Sequence, residues 1–256
     1  MDKIEKLIRK KGKEKIVSIT AYDYAFAKIV DEVGFDFILV GDSLAMVVLG
    51  YDSPIYATMD DMLRHTKAVA RGARNTLIVG DMPAGSYDDV TLALKNARAF
   101  VNAGAHAVKI EGPKKEIIEA LVNANIPVMG HLGLTPQTIH EYKVQGREKE
   151  EAERIKREAK LVEEAGAFAV VLECIPEKLG EEITGSIKIP TIGIGAGRYC
   201  DGQILVIHDV LGLYDKFVPK FAKQYINFRE IARKALQEFK EEVLANKFPE
   251  EKHVFK

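Results

Sequence analysis

The sequence predicts an α/β protein, a single (β/α)8 barrel over residues 1–256, on three observations. Short apolar runs alternate along the chain with segments of helical periodicity, the layout of a parallel sheet covered by helices. Several of these runs stop on a carboxylate, as Phe35-Asp36-Phe37-Ile38-Leu39-Val40-Gly41-Asp42-Ser43 does. The length of 256 residues suits a barrel that folds as one unit of roughly 250. An open doubly wound sheet is the competing arrangement of the same elements.

Taken in order, Ile4, Leu7 and Ile8 give residues 1–12 the spacing of an N-terminal helix. The first strand is 16–22, and Asp23 caps a helix that stops at Gly34. The second strand follows in the run just quoted, and the third ends at Asp81. Between them a helix starts at Thr58 or Asp60 and carries Met62, Ala68 and Val69 on its apolar stripe. Helical periodicity over 88–104 leads to a fourth strand ending at Glu111, and a helix over 113–124 leads to a fifth, 127–131. Residues 133–146 then form a connection longer than barrels usually place between strand and helix, the length of a lid. A helix with Ala152, Ile155, Ala159 and Val162 on one face precedes the sixth strand, which ends at Glu173. Strands over 189–197 and 203–209 complete eight, and residues 221–244 form a C-terminal helix.

Composition excludes several classes. A net charge of -1 gives no electrostatic footing for nucleic acid. The run Arg9-Lys10-Lys11-Gly12-Lys13 is short, is followed by Glu14, and reads as a solvated helix end. No secretory signal is expected at the N-terminus and no segment has the apolar length of a bilayer span. Cys174 and Cys200 lack metal-ligand spacing and fit a reducing, cytoplasmic setting.

If the strands are parallel and close into a ring, Asp42, Asp81, Glu111 and Glu173 meet on one rim. Each alone reads as an ordinary strand end. Together they repel, and such a cluster needs a cation or a role in proton transfer. Magnesium suits the set, because it takes oxygen ligands and uses one or two carboxylates. Lys109 and Glu111 lie two apart, so they share a face. That pairing reads either as a salt bridge inside the barrel or as a cation kept for an anionic substrate group. His131 reads as a substrate contact or as a histidine simply hydrogen-bonded in place. The same parity turns Cys174 away from Glu173, against a thiol nucleophile beside that acid. Gly193-Ile194-Gly195-Ala196-Gly197 lacks the spacing of a dinucleotide loop; it reads as a tight turn, with a phosphate loop as the other reading.

The ordered set Thr20-Ala21-Tyr22-Asp23, Val40-Gly41-Asp42-Ser43-Leu44, Gly80-Asp81-Met82-Pro83, Val108-Lys109-Ile110-Glu111-Gly112, Gly130-His131-Leu132-Gly133-Leu134-Thr135-Pro136-Gln137, Leu172-Glu173-Cys174-Ile175-Pro176 and Gly193-Ile194-Gly195-Ala196-Gly197 resembles the ketopantoate hydroxymethyltransferases. Asp201-Gly202-Gln203 and His208-Asp209 extend the likeness to nearly the whole chain. The resemblance implies a TIM barrel of the phosphoenolpyruvate-mutase type acting in pantothenate synthesis. It implies one Mg2+ per subunit, 5,10-methylenetetrahydrofolate as co-substrate, and 3-methyl-2-oxobutanoate as the 2-oxo acid converted to 2-dehydropantoate. Position by position it gives Asp42, Asp81 and Glu111 to the metal, Ser43 and Lys109 to the acid's carboxylate, and Glu173 to the base. Asp42 and Asp81 thereby line the substrate site as well. It implies self-association, as a homodecamer. Two other readings fit the same residues: a magnesium-dependent lyase that forms an enolate without folate, and a barrel that binds a small acid without turnover.

Overall fold

The computed structural model describes residues 3–138 and 143–255. Eight parallel strands close into a barrel in sequence order: β1 (Ile16–Thr20), β2 (Phe37–Val40), β3 (Leu77–Asp81), β4 (Ala107–Glu111), β5 (Val128–Gly133), β6 (Ala169–Glu173), β7 (Thr191–Ile194) and β8 (Gly202–Leu205). Pairing of β1 with β8, Ile16 opposite Gly202, removes both sheet edges and with them the open-sheet alternative.

Helices precede and separate the strands: α1 (Lys3–Ile8), α2 (Tyr24–Val33), α3 (Leu44–Val47), α4 (Met59–Gly72), α5 (Val90–Asn102), α6 (Lys115–Asn123), α7 (Lys149–Glu164), α8 (Glu177–Ser186), α9 (Ile207–Leu211) and α10 (Phe228–Leu244). Their starts are written in the sequence. The Asp23 side chain accepts from the Phe26 N–H at the head of α2, and Thr58 with Asp61 forms a reciprocal capping box on α4. Gly34 ends α2 in the left-handed conformation, φ 88°.

Inside the barrel, alternate residues of each strand form layers. Phe37, Leu39, Leu77, Val79, Ala107, Met129, Ala169, Val171, Ile192 and Ile204 make a closed apolar plug. One step further toward the C-terminal ends, the same inward parity delivers Asp81, Lys109, Glu111, His131 and Glu173. Register ties them together, with Asp81 opposite Lys109 and Glu111 opposite His131.

Several expected boundaries move. The helix expected over 1–12 is Lys3–Ile8 in the described residues, because the chain tightens into turns at Lys10 and Lys11 and reverses at Gly12, φ 68°. The expected eighth strand over 203–209 stops at Leu205, and Ile207–Leu211, with His208 and Asp209, is helical. The helix expected over 221–244 begins at Phe228, where Asn227 accepts from the Glu230 N–H and so supplies the cap. Helix α3 has four residues, too few for its periodicity to register, and in α8 the glycines Gly180 and Gly185 interrupt the helical pattern. Contact density divides the chain into two compact units, one ending at Val206 and one beginning at Ile207, where the sequence suggests one over 1–256. All eight strands lie in the first. Of the connection over 133–146, residues 139–142 lie outside the described residues. No described helix is long and apolar enough to cross a membrane.

Candidate active site

The strand ends bring together the residues that the sequence marks. Asp81, Lys109, Glu111 and His131 are each at most 4% exposed, so their charges must be settled by one another. Lys109 Nζ lies 2.8 Å from Asp81 Oδ1 and 4.0 Å from Glu111 Oε1. The lysine's main partner is thus the acid across the strand pair, not the one two residues along its own strand. His131 Nδ1 stands 3.2 Å from Glu111 Oε1, and Nε2 stands 3.1 Å from Glu173 Oε2. The imidazole therefore stands within ion-pair distance of the fourth strand's acid and the sixth's, with Lys109 Nζ 3.1 Å from its Nδ1.

Asp42 sits one residue past the strand β2 parity, where the chain turns into α3. Its backbone N–H donates to Asp81 Oδ2 at 3.1 Å, which brings the two acids together. Gly41 allows this, since a Cβ there would stand 2.9 Å from Ser43 Oγ. Ser43 Oγ is 2.8 Å from the Tyr22 hydroxyl, so Ser43 faces the same rim as the end of the first strand.

Two residues at this site escape a reading of the sequence. Gln137 donates from Nε2 to Asp42 Oδ2 at 2.9 Å and to the Met82 carbonyl at 3.0 Å, and its backbone N–H donates to Glu111 Oε2 at 3.1 Å. The Tyr87 hydroxyl donates to Gln137 Oε1 at 2.5 Å and accepts from the Glu111 N–H at 3.3 Å. Both come from connections, where no periodicity reveals which way a side chain turns. The Gly-Leu-Thr-Pro-Gln run holding Gln137 was the available signal.

Burial, then the neighbouring Asp81, pushes the Asp42 carboxyl well above the usual range, outweighing Lys109 and Gln137. Asp81 is raised by burial, against the pull of Lys109. Burial and Lys109 oppose charge on His131, yet Glu111 and Glu173 carry it up to about 9. Burial likewise opposes charge on Lys109, and Asp81, Glu111 and Asp42 overcome it. Glu111 is lowered despite burial, by His131 and Lys109. Lys109 and His131 thus keep their positive charge, while burial holds the Asp42 and Asp81 carboxyls toward the neutral form, a cost that a cation placed between them would relieve.

A magnesium ion suits this set on a further count. Asp81 Oδ1, although 2.8 Å from Lys109 Nζ, has no well-directed hydrogen bond and is fully buried. Such an oxygen is a ligand atom in waiting. Among the described residues no three His, Cys, Asp or Glu side chains already stand as a metal cage. Magnesium does not require one, because it keeps waters and takes one or two carboxylates.

Cys174 and the glycine run resolve cleanly. Cys174 leaves the strand at φ 48°, and burial with the adjacent Glu173 charge pushes its thiol up to about 12. A thiol so protonated is no nucleophile. In the turn after β7, Gly195 and Gly197 have φ of 66° and 83°, and the Arg198 N–H already donates to Glu177 Oε2 at 3.0 Å. The backbone N–H that follows the run is thus taken by a carboxylate of the chain itself, and the run is a tight turn.

A closed parallel barrel with its acids at the C-terminal rim defines the class: a TIM barrel. Solved structures bear this out at the level of fold. Phosphoenolpyruvate phosphomutase from Streptomyces platensis subsp. rosaceus superposes with a TM-score of 0.66 at 14% identity, covering 99% of this chain and 91% of that one. Phosphonopyruvate hydrolase in complex with oxalate and Mg++ gives 0.63 at 16%, covering 100% and 92%. Within that class, the family model of ketopantoate hydroxymethyltransferase matches residues 2–251, and the chain belongs to this family of one-carbon transferases. A 3-methyl-2-oxobutanoate hydroxymethyltransferase of Syntrophus aciditrophicus is 52% identical over 97% of this chain and 93% of its own. One of Thermosipho melanesiensis is 53% identical over 99% and 98%.

Proposed function

We propose that this chain moves a one-carbon unit from 5,10-methylenetetrahydrofolate to 3-methyl-2-oxobutanoate, giving 2-dehydropantoate and tetrahydrofolate. The observation that carries this reading is the meeting of Asp42, Asp81, Lys109, Glu111, His131 and Glu173 on one rim of a family member's barrel. Asp42 and Asp81 would hold one Mg2+ per subunit, with Glu111 reaching it through water. The ion, when bound, supplies Lewis-acid stabilisation of negative charge at the keto oxygen.

The protein's own groups do the rest. Lys109 stays an ammonium in spite of burial, so it offers a lasting positive charge to the acid's carboxylate. Ser43 offers that carboxylate a hydroxyl, oriented by Tyr22. Glu173 takes the C3 proton. Its side chain is 17% exposed against 2% for Asp81 and Glu111, which supports a role for it in meeting the incoming substrate. His131 faces Glu173 Oε2 and leaves Oε1 to accept the proton. The electron pair released forms the enolate, whose carbon bonds to the one-carbon unit. Both C–N bonds that tie this unit to the folate break, water supplies the hydroxyl oxygen, and the two nitrogens of the departing tetrahydrofolate take up one proton from C3 and one from water. The apolar plug beneath the polar layer closes the other end of the barrel to water. A homodecamer in the cytoplasm is the setting that the family resemblance adds.

Exchange of the C3 proton of 3-methyl-2-oxobutanoate with deuterated solvent, followed by proton NMR in Mg2+, tests the chemistry without folate. The native protein is expected to exchange. Glu173→Gln is expected to lose at least about 100-fold in rate, the usual contribution of a positioned base, while still binding the acid. Unchanged exchange in Glu173→Gln removes the base assignment. Cleavage of a 2-oxo acid with folate absent would instead favour a lyase.

A further inference from the structure

We infer that Gln137 is a positioning residue for the divalent ion, holding Asp42 and Glu111 from the connection that follows β5. This rests on reading the rim as a magnesium site. Gln137 reaches two carboxylates that lie far apart in the chain, Asp42 through its side chain and Glu111 through its backbone. It therefore couples two acids that belong to the ends of different, non-adjacent strands.

The amide can face only one way. Nε2 has two protons, given to Asp42 Oδ2 and the Met82 carbonyl, and Oε1 accepts from the Tyr87 hydroxyl. Turned over, its oxygen would face a carboxylate and a carbonyl, two repulsions in a buried site. Gln137 is 8% exposed and Tyr87 6%, so water does not compete for these bonds. Holding Oδ2 fixes the Asp42 carboxyl plane and leaves Oδ1 for the ion.

An uncharged donor is what this position needs. A lysine or arginine would add a third cation beside Lys109 and His131 and repel a divalent ion. The amide restrains Asp42 and adds no charge. Tyr87 acts one step further out. Its hydroxyl fixes the amide and also accepts from the Glu111 N–H, so both arms of the clamp pass through it.

Isothermal titration of the full-length protein with MgCl2 alone tests this. Gln137→Leu keeps the volume and removes both donor and acceptor. Its Mg2+ affinity is expected to fall about 10–100-fold, the range for groups that orient metal ligands. Its solvent-exchange rate with the 2-oxo acid is expected to return toward the native value as Mg2+ is raised, with the acid's saturation concentration unchanged. Tyr87→Phe is expected to weaken Mg2+ binding in the same direction by a smaller factor, and it keeps the test open should Gln137→Leu fold poorly. Native affinity in both variants overturns the inference, as does a loss of exchange that added Mg2+ does not rescue. A native protein that binds no Mg2+ overturns the metal reading itself, and the positioning role with it.

Discussion

For a single residue, burial decides what a charge is worth. Asp209, in the second compact unit, has its carboxyl raised to about 6 by burial. Its pKa is higher folded than in the unfolded chain, about 3.9. The folded state therefore holds the proton more tightly, and this contribution is fully present below about pH 4 and lost as pH rises through about 6. Asp209→Asn, neutral at every pH, should then gain stability over the native protein at about pH 7.5 and gain little at about pH 4. After allowance for water's access to the carboxyl, the gain is on the order of 1 kcal/mol, or about 2–4 °C in melting temperature. Melting curves of the two proteins at both pH values check it, and an equal shift at each would rule out a buried charge as the cause.

Strands and helices place the site through their ends and through the glycines between them. Gly133 closes β5 at φ 92°, and a Cβ there would lie 2.3 Å from the Glu173 carbonyl oxygen and 2.9 Å from Ile175 Cγ2. The same carbonyl accepts from the Leu134 N–H at 2.9 Å. The backbone of the proposed base is thus locked against its neighbour strand, and only glycine permits the approach. Gly133→Ala is expected to cost at least about 2 kcal/mol, from left-handed strain and the clash together. It should also slow proton exchange at C3, because Glu173 must shift to make room. Thermal melting paired with the exchange rate measures both, and a variant with native values for each would show that the strand ends are not so tightly coupled. Gly80 and Gly130 do similar work on the outer face, where a Cβ would meet Phe100 Cδ1 at 2.4 Å and Val162 Cγ1 at 2.5 Å, setting α5 and α7 close on the sheet.

Across the molecule, the rim is a stability cost that a ligand offsets. Asp42 and Asp81, raised by burial and by the acids beside them, destabilise the folded state until a cation arrives. Mg2+ at about 100 times its dissociation constant should stabilise the protein by about 2.7 kcal/mol, seen as a rise in melting temperature of several degrees and reversed by EDTA. Asp42→Asn should melt higher than the native protein without metal and lose most of the response to Mg2+. A native protein whose melting temperature ignores Mg2+, or an Asp42→Asn variant that responds in full, would contradict this balance of charge.

Periodicity along the chain was enough for the strands, for the caps at Asp23 and Thr58, and for the parity that puts Lys109 and Glu111 on one face. Those follow from local geometry, which a strand repeats about every two residues and a helix about every 3.6. Which acid Lys109 takes was settled by packing in three dimensions, because Asp81 reaches it through strand register and not through chain neighbourhood. Closure was settled there too, since an open sheet and a barrel share one pattern until β1 meets β8. Gln137 and Tyr87 belong to the same category: they sit in connections, where the direction of a side chain is set by what surrounds it.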